Sequence, residues 1–181
     1  MQECYIDNIE NNNKYIRKIE SMGEGLLFFE VSVMEKNVGQ NQHILYENGK
    51  KPPLDIAINP NNKEIEYVSY FLQDEILEQR KKELKTVGEY SRSIFCEAVK
   101  QKDTNYISYS CDFDYWMEDN TIWVIKSDNC CKTIQELHIT NFDSLIFVED
   151  EFIGFKLKNI SQNEKEELRK SKCISDGNIL V

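Results

Sequence analysis

Apolar and polar residues alternate with a period of two along much of this chain. Between residues 26 and 34, Leu27, Phe29, Val31 and Val33 alternate with Phe28, Glu30 and Ser32, which predicts a half-buried strand. Leu54, Ile56 and Ile58 repeat the pattern around Asp55 and Ala57. Pro52-Pro53 imposes an extended approach to that run, and Asn59-Pro60-Asn61-Asn62 supplies a turn. Residues 65–72 then return as its partner, and a short strand is expected at 43–47, closed by Asn48-Gly49. Residues 90–99, 106–117, 121–126 and 133–139 also read as strands, with a tight turn at Glu118-Asp119-Asn120. At 145–157 two apolar runs flank Glu149-Asp150-Glu151, which predicts a hairpin with an anionic tip.

Helical spacing is rarer. Residues 8–20 carry a thin stripe of Ile9, Ile16 and Ile19, and 74–85 carry Ile76, Leu77 and Leu84 with Glu78 and Lys82 at i,i+4. Ser161 and Glu164 form a capping box for a third helix, at 161–172. Residues 174–181 read as a tail docked by Ile179, Leu180 and Val181. The expected fold is therefore α+β: a mainly antiparallel sheet with helices packed on one side, in one domain spanning 1–181. Tyr67-Val68-Ser69-Tyr70-Phe71-Leu72 can be laid against Phe152-Ile153-Gly154-Phe155-Lys156-Leu157. That match raises a second organisation, two related halves at 1–88 and 89–173.

Composition narrows the class. A chain of 181 residues that is 40% hydrophobic can bury a core, and no apolar run approaches the length of a membrane span. The first residues lack the basic and apolar regions of a secretory signal, so a soluble cytoplasmic protein is expected. Its Asn, Lys, Ile and Glu content fits an AT-rich bacterial coding sequence. Cys4, Cys96, Cys111, Cys130, Cys131 and Cys173 then read as reduced thiols.

The net charge is −10, and residues 103–151 hold eleven acids against Lys126 and Lys132. Nearly the whole imbalance thus lies in 49 residues, a field that repels nucleic acid and attracts basic proteins.

Catalytic and cofactor motifs are not found in the sequence. There is no nucleophile elbow, no zinc knuckle around Cys130, Cys131 and His138, and no phosphate loop at Gly23-Glu24-Gly25. A Cys–His pair built from His43 or His138 has no local support. The basic run Arg80-Lys81-Lys82 is interspersed with glutamates and reads as a solvated helix face. Alternation places Asp112 and Asp114 on one strand face, together with Trp116, and Cys111, Phe113, Tyr115 and Met117 on the other. The aspartates could be a solvated face, a cation site or an acid/base pair. An exposed Trp116 beside them would instead suit a docking hot spot.

Asp112-Phe113-Asp114-Tyr115-Trp116, Glu118-Asp119 and Glu149-Asp150-Glu151 give the chain a character that resembles the small acidic immunity proteins of bacterial toxin–immunity systems. The resemblance implies stoichiometric inhibition, with an acidic face occluding the basic active site of a toxin. The leading expectation is a non-enzymatic binding module for a basic protein, with no cofactor, nucleic acid or membrane. Its partner-binding residues would be Asp112, Asp114, Trp116, Glu118, Asp119, Glu149, Asp150 and Glu151. The alternatives are a small hydrolase or transferase using strand-borne carboxylates, and a structural subunit of a larger assembly.

Overall fold

The computed structural model describes residues 14–37, 39–90 and 105–174. Among them the chain builds two mixed β-sheets and one short helix, so the α+β arrangement with helices on one side of an antiparallel sheet is corrected to a mainly β fold. The first sheet contains β1 (Tyr15–Gly23), β2 (Leu26–Val33), β3 (Gln42–Glu47), β4 (Leu54–Ile58) and β5 (Ile65–Gln73). The second contains β6 (Glu78–Gln79), β7 (Lys85–Glu89), β9 (Phe113–Glu118), β10 (Thr121–Lys126), β11 (Thr133–His138), β12 (Asp143–Val148) and β13 (Glu151–Leu157). Strand β8 (Tyr106–Ser110) belongs to the first sheet, and α1 (Gln162–Lys170) follows β13.

The strand orders are β1-β2-β5-β4-β3-β8 and β6-β9-β10-β13-β12-β11-β7. Each sheet therefore contains five antiparallel strands in the spatial order first, second, fifth, fourth, third, namely β1–β5 in one and β9–β13 in the other. Edge strands from the far half extend both, one on the first sheet and two on the second, where β6 runs parallel to β9. β8 runs parallel to β3 of the first sheet, and β7 runs parallel to β11 of the second. The boundary between 88 and 89 falls inside β7, and the halves hold one another by this exchange.

The 67–72 and 152–157 stretches lie in β5 and β13, the same place in the two strand orders. Their cross-strand partners correspond as well: Leu72 faces Leu27, and Leu157 faces Ile122. Extending that register one strand further matches Arg17, opposite Val31, with Phe113, opposite Lys126.

The two sheets pack face to face because their alternating apolar positions turn inward. Leu27, Phe29, Val31, Tyr70 and Leu72 meet Met117, Ile122, Val124, Phe155 and Leu157 in one buried cluster. Aromatic contacts join the layers: Tyr46 with Phe152 at 4.7 Å, and Tyr70 with Phe155 at 5.7 Å between ring centroids. At Gly154, φ is +156°, and a Cβ would lie 2.9 Å from Ile125 Cα. Only glycine lets β10 close on β13 there, beside the bulge between Ile146 and Phe147.

Two helix expectations fail. Residues 15–20 lie in β1, where Tyr15 and Ile19 are buried at strand spacing; residues 8–13 lie outside the described residues. Residues 74–85 form no helix. Asp74 has φ +57°, Leu77 is buried in a bridge to Ile174, and Ile76 is 52% exposed. An i,i+4 ion pair contributes only tenths of a kcal/mol to a helix. Burying Leu77, and bonding its N–H to the Cys173 carbonyl at 2.7 Å, contributes more.

The 106–117 stretch splits into β8 and β9 as the chain crosses between sheets. The strands at 26–34, 43–47, 54–58, 65–72, 121–126 and 133–139 and the 145–157 hairpin are found with small shifts at their ends. The capping box of α1 forms as expected, with Ser161 as N-cap and Glu164 at N3. Residues 91–99 and 175–181, with Cys4 and Cys96, lie outside the described residues.

Candidate functional site

The acidic residues separate to two ends of the second sheet. Antiparallel pairing puts the start of β9, the end of β10 and the β12–β13 turn at one end. Asp112, Asp114, Glu149, Asp150 and Glu151 are therefore gathered there. Two strand spacings, about 10 Å, separate β9 from β13. Glu118 ends β9 and Asp119 lies in the β9–β10 turn at the opposite end, a strand length away, so the structure does not bring them to the same surface.

Each acid at the shared end has a definable state. Asp112 occupies the crossing between sheets, where its Oδ1 accepts a 2.8 Å hydrogen bond from Asn48 Nδ2. Asp114 accepts from Lys82 Nζ at 3.0 Å and from Ser127 Oγ at 3.0 Å. Partial burial pushes its carboxyl up, but the Lys82 and Ser127 bonds outweigh that and hold it below the usual aspartate range. The two aspartates thus face different partners and do not converge as an acid/base pair. Glu151, 71% exposed, pairs with Lys126 at 2.7 Å, while Lys126 packs over the Tyr46 ring at 5.2 Å. Glu149 takes the left-handed conformation that the tight turn requires, and both it and Asp150 are exposed.

Trp116 requires a correction. It does point to the same face as Asp114, but it is 0% exposed and stacks on Trp123 at 5.9 Å with an interplanar angle of 7°. Lys82 covers it at 4.5 Å from the ring centroid, so the indole is part of the protein's own packing and no surface anchor. Phe113, Tyr115 and Met117 face the inter-sheet core as alternation predicts. Cys111 lies in the crossing before β9, and burial pushes its thiol up to about 11, away from nucleophilic readiness.

Beside this end, between the sheets, lies a pocket of about 220 Å³. Tyr46, Tyr70, Phe113 and Tyr115 form its aromatic walls, and Lys51, Glu75 and Asp112 supply charge. Lys51 Nζ binds both oxygens of Glu75 at 2.6 Å and Tyr70 Oη at 2.8 Å, and lies 4.7 and 5.4 Å from the Tyr70 and Tyr115 ring centroids. Burial and the Glu75 charge push the Tyr115 hydroxyl up to about 12. Sequence reading missed this constellation because Lys51 and Glu75 are 24 residues apart and meet only once β3, β4 and β5 have paired.

The histidines also have settled partners. His43 Nδ1 lies 3.0 Å from Asp55 Oδ1, whose other oxygen accepts from Tyr67 Oη at 2.8 Å, on the outer face of the first sheet. His138 Nδ1 lies 2.9 Å from Ser144 Oγ. Among the described residues no group of three or more His, Cys, Asp or Glu is placed to hold a metal ion, and no helix is long and apolar enough to cross a membrane. Neither protein-family models nor curated proteins give a match to this chain.

Proposed function

We propose that the protein is a non-enzymatic, cytoplasmic binding module that engages a basic protein partner, in the manner of a bacterial immunity protein capturing a toxin. The observation that carries this reading is the gathering of Asp112, Asp114 and Glu149-Asp150-Glu151 at one end of the second sheet. Lys126 and Lys82 neutralise part of that charge and Ser127 hydrogen-bonds Asp114, while Glu149 and Asp150 stay exposed. Exposed like charges held close by a hairpin repel one another, and a basic surface relieves that repulsion. Glu118 and Asp119 fall outside this surface and do not enter the proposal.

The test is the paired substitution Glu149→Lys and Asp150→Lys, which touches no buried contact. The wild type should capture a basic protein from the source cells at low salt and release it as salt rises. The variant should lose capture with its melting temperature unchanged. Equal capture with equal salt dependence would overturn the proposal, as would a captured partner with no basic surface.

A further inference from the structure

We propose that the pocket between Tyr46, Tyr70, Phe113 and Tyr115 receives a lysine or arginine side chain of the basic partner, and that Lys51 is a resident plug the incoming cation displaces. This rests on the reading above and assigns that reading a specific receptor.

The first support is the pocket's counterpart in the other half. The register match places Arg17 where the second half has Phe113. At its corner, the Arg17 guanidinium donates to Glu164 at 2.7 and 3.0 Å, to Asp143 at 2.8 Å, and to the carbonyls of Lys158 and Asn159 at 2.7 and 3.2 Å. A cation from the chain itself fills that corner. With Phe113 in place of the arginine, the corresponding corner keeps about 220 Å³ of open space.

The second support is the chemistry of the walls. Tyrosine faces and a carboxylate are the groups that hold an ammonium or guanidinium away from bulk water, and Lys51 shows the pocket holding one. Lys51 is 11% exposed and Glu75 20% exposed, so the pair lies near the mouth. Exchanging one cation for another leaves Glu75 paired, and Lys51 returns its ammonium to water. The space is smaller than a drug-sized site of roughly 300 Å³ or more, which suits one side chain. Asp112 lines the same pocket and belongs to the acidic end, so a partner drawn to that end meets the mouth.

The probe is a hexapeptide of alternating arginine and glycine, with a citrulline version as its uncharged control, titrated calorimetrically at low salt. Lys51→Met should tighten binding by about threefold or more, and Glu75→Gln should weaken it by a similar factor. Lys132→Met removes the same charge from a side chain that is 76% exposed and outside the pocket, and should change affinity far less. In the wild type, the peptide should move the ring resonances of Tyr70 and Tyr115; unmoved rings overturn the proposal whatever the variants do. Lys132→Met matching Lys51→Met, or the citrulline peptide binding equally, would also overturn it. So would spermidine taking the pocket while the peptide does not. If Glu149→Lys with Asp150→Lys abolishes peptide binding but Lys51→Met and Glu75→Gln leave it at the wild-type value, the pocket fails and the acidic-end reading stands. Binding unchanged in every variant sinks both.

Discussion

On the outer face of the second sheet, Trp116, Trp123, Ile125, Ile134, Ile146 and Ile153 are all buried, with Leu84 and Val148 packed against them. On the outer face of the first sheet, the Phe28 and Phe71 rings meet at 4.8 Å with a 40° tilt and stay partly exposed, among Glu30, Asp55, Tyr67 and His43. Five-stranded cores of the same order thus meet solvent differently. In the second sheet the central positions of both faces are dry, so the apolar side chains there contribute nearly their full burial to stability. In the first sheet one face is dry, and outward positions are free to be polar. The acidic end belongs to the sheet whose outer face carries the buried Trp116–Ile153 cluster.

The largest way to break this contrast is to truncate one aromatic on each outer face. Trp116→Ala should cost about 4 kcal/mol, because it removes a fully buried indole and unstacks Trp123. Phe71→Ala should cost about 1 kcal/mol, since part of that ring already meets water. Urea denaturation of the two variants reads the difference. Equal costs would mean that the first sheet's outer face is covered in solution.

The paired corners give the next contrast. Arg17 lies between Asp143, 3% exposed, and Glu164, and two backbone carbonyls depend on it. Arg17→Met strands those acceptors and should cost about 3 kcal/mol. Lys51→Met, at the corresponding corner, leaves Glu75 beside an open pocket that water can enter, and should cost about 1 kcal/mol or less. Thermal melts compare them directly. If Lys51→Met cost as much as Arg17→Met, Lys51 would be a structural counterpart of the arginine and no displaceable plug.

Much of the strand content was legible because alternation records which side of a strand is dry. It does not record whether the other side is covered, and Trp116 shows the consequence. Its shared face with Asp114 follows from spacing, but its burial depends on Lys82 and Trp123, which only the fold brings there. Strand β7 could not be read at all. All of Lys85–Glu89 is exposed and nothing in it alternates, because it is an edge strand held through backbone pairing to β11. The anionic hairpin tip and Asp112 were legible as a shared surface only in charge. Their adjacency depends on β10 and β13 pairing, and the distance of Glu118 and Asp119 from them depends on the same pairing. The Lys51–Glu75 pocket and the Arg17 cluster left no local trace, since each cation's hydrogen-bond partners lie at least 19 residues away.

The smallest effect expected is a pH dependence confined to the Arg17 corner. Burial pushes the Glu164 carboxyl up, but hydrogen bonds from Arg17 and the Ser161 N–H outweigh it and hold the folded value below 4.5. A carboxyl depressed in the folded state contributes stability that is present above its unfolded value and disappears as pH falls through the folded one. Glutamine at the same position still completes the capping box, so Glu164→Gln removes the charge while sparing the helix start. The wild type should exceed that variant by about 1 kcal/mol at neutral pH. The gap should narrow steadily as the solution is acidified below the ordinary glutamate range. Other acids protonate over the same range in both proteins, so the difference between them isolates this corner. A gap that stayed constant down to strongly acidic solution would show that Glu164 acts through its shape alone. The Arg17 corner would then no longer serve as the filled, charge-paired counterpart of the Lys51 pocket.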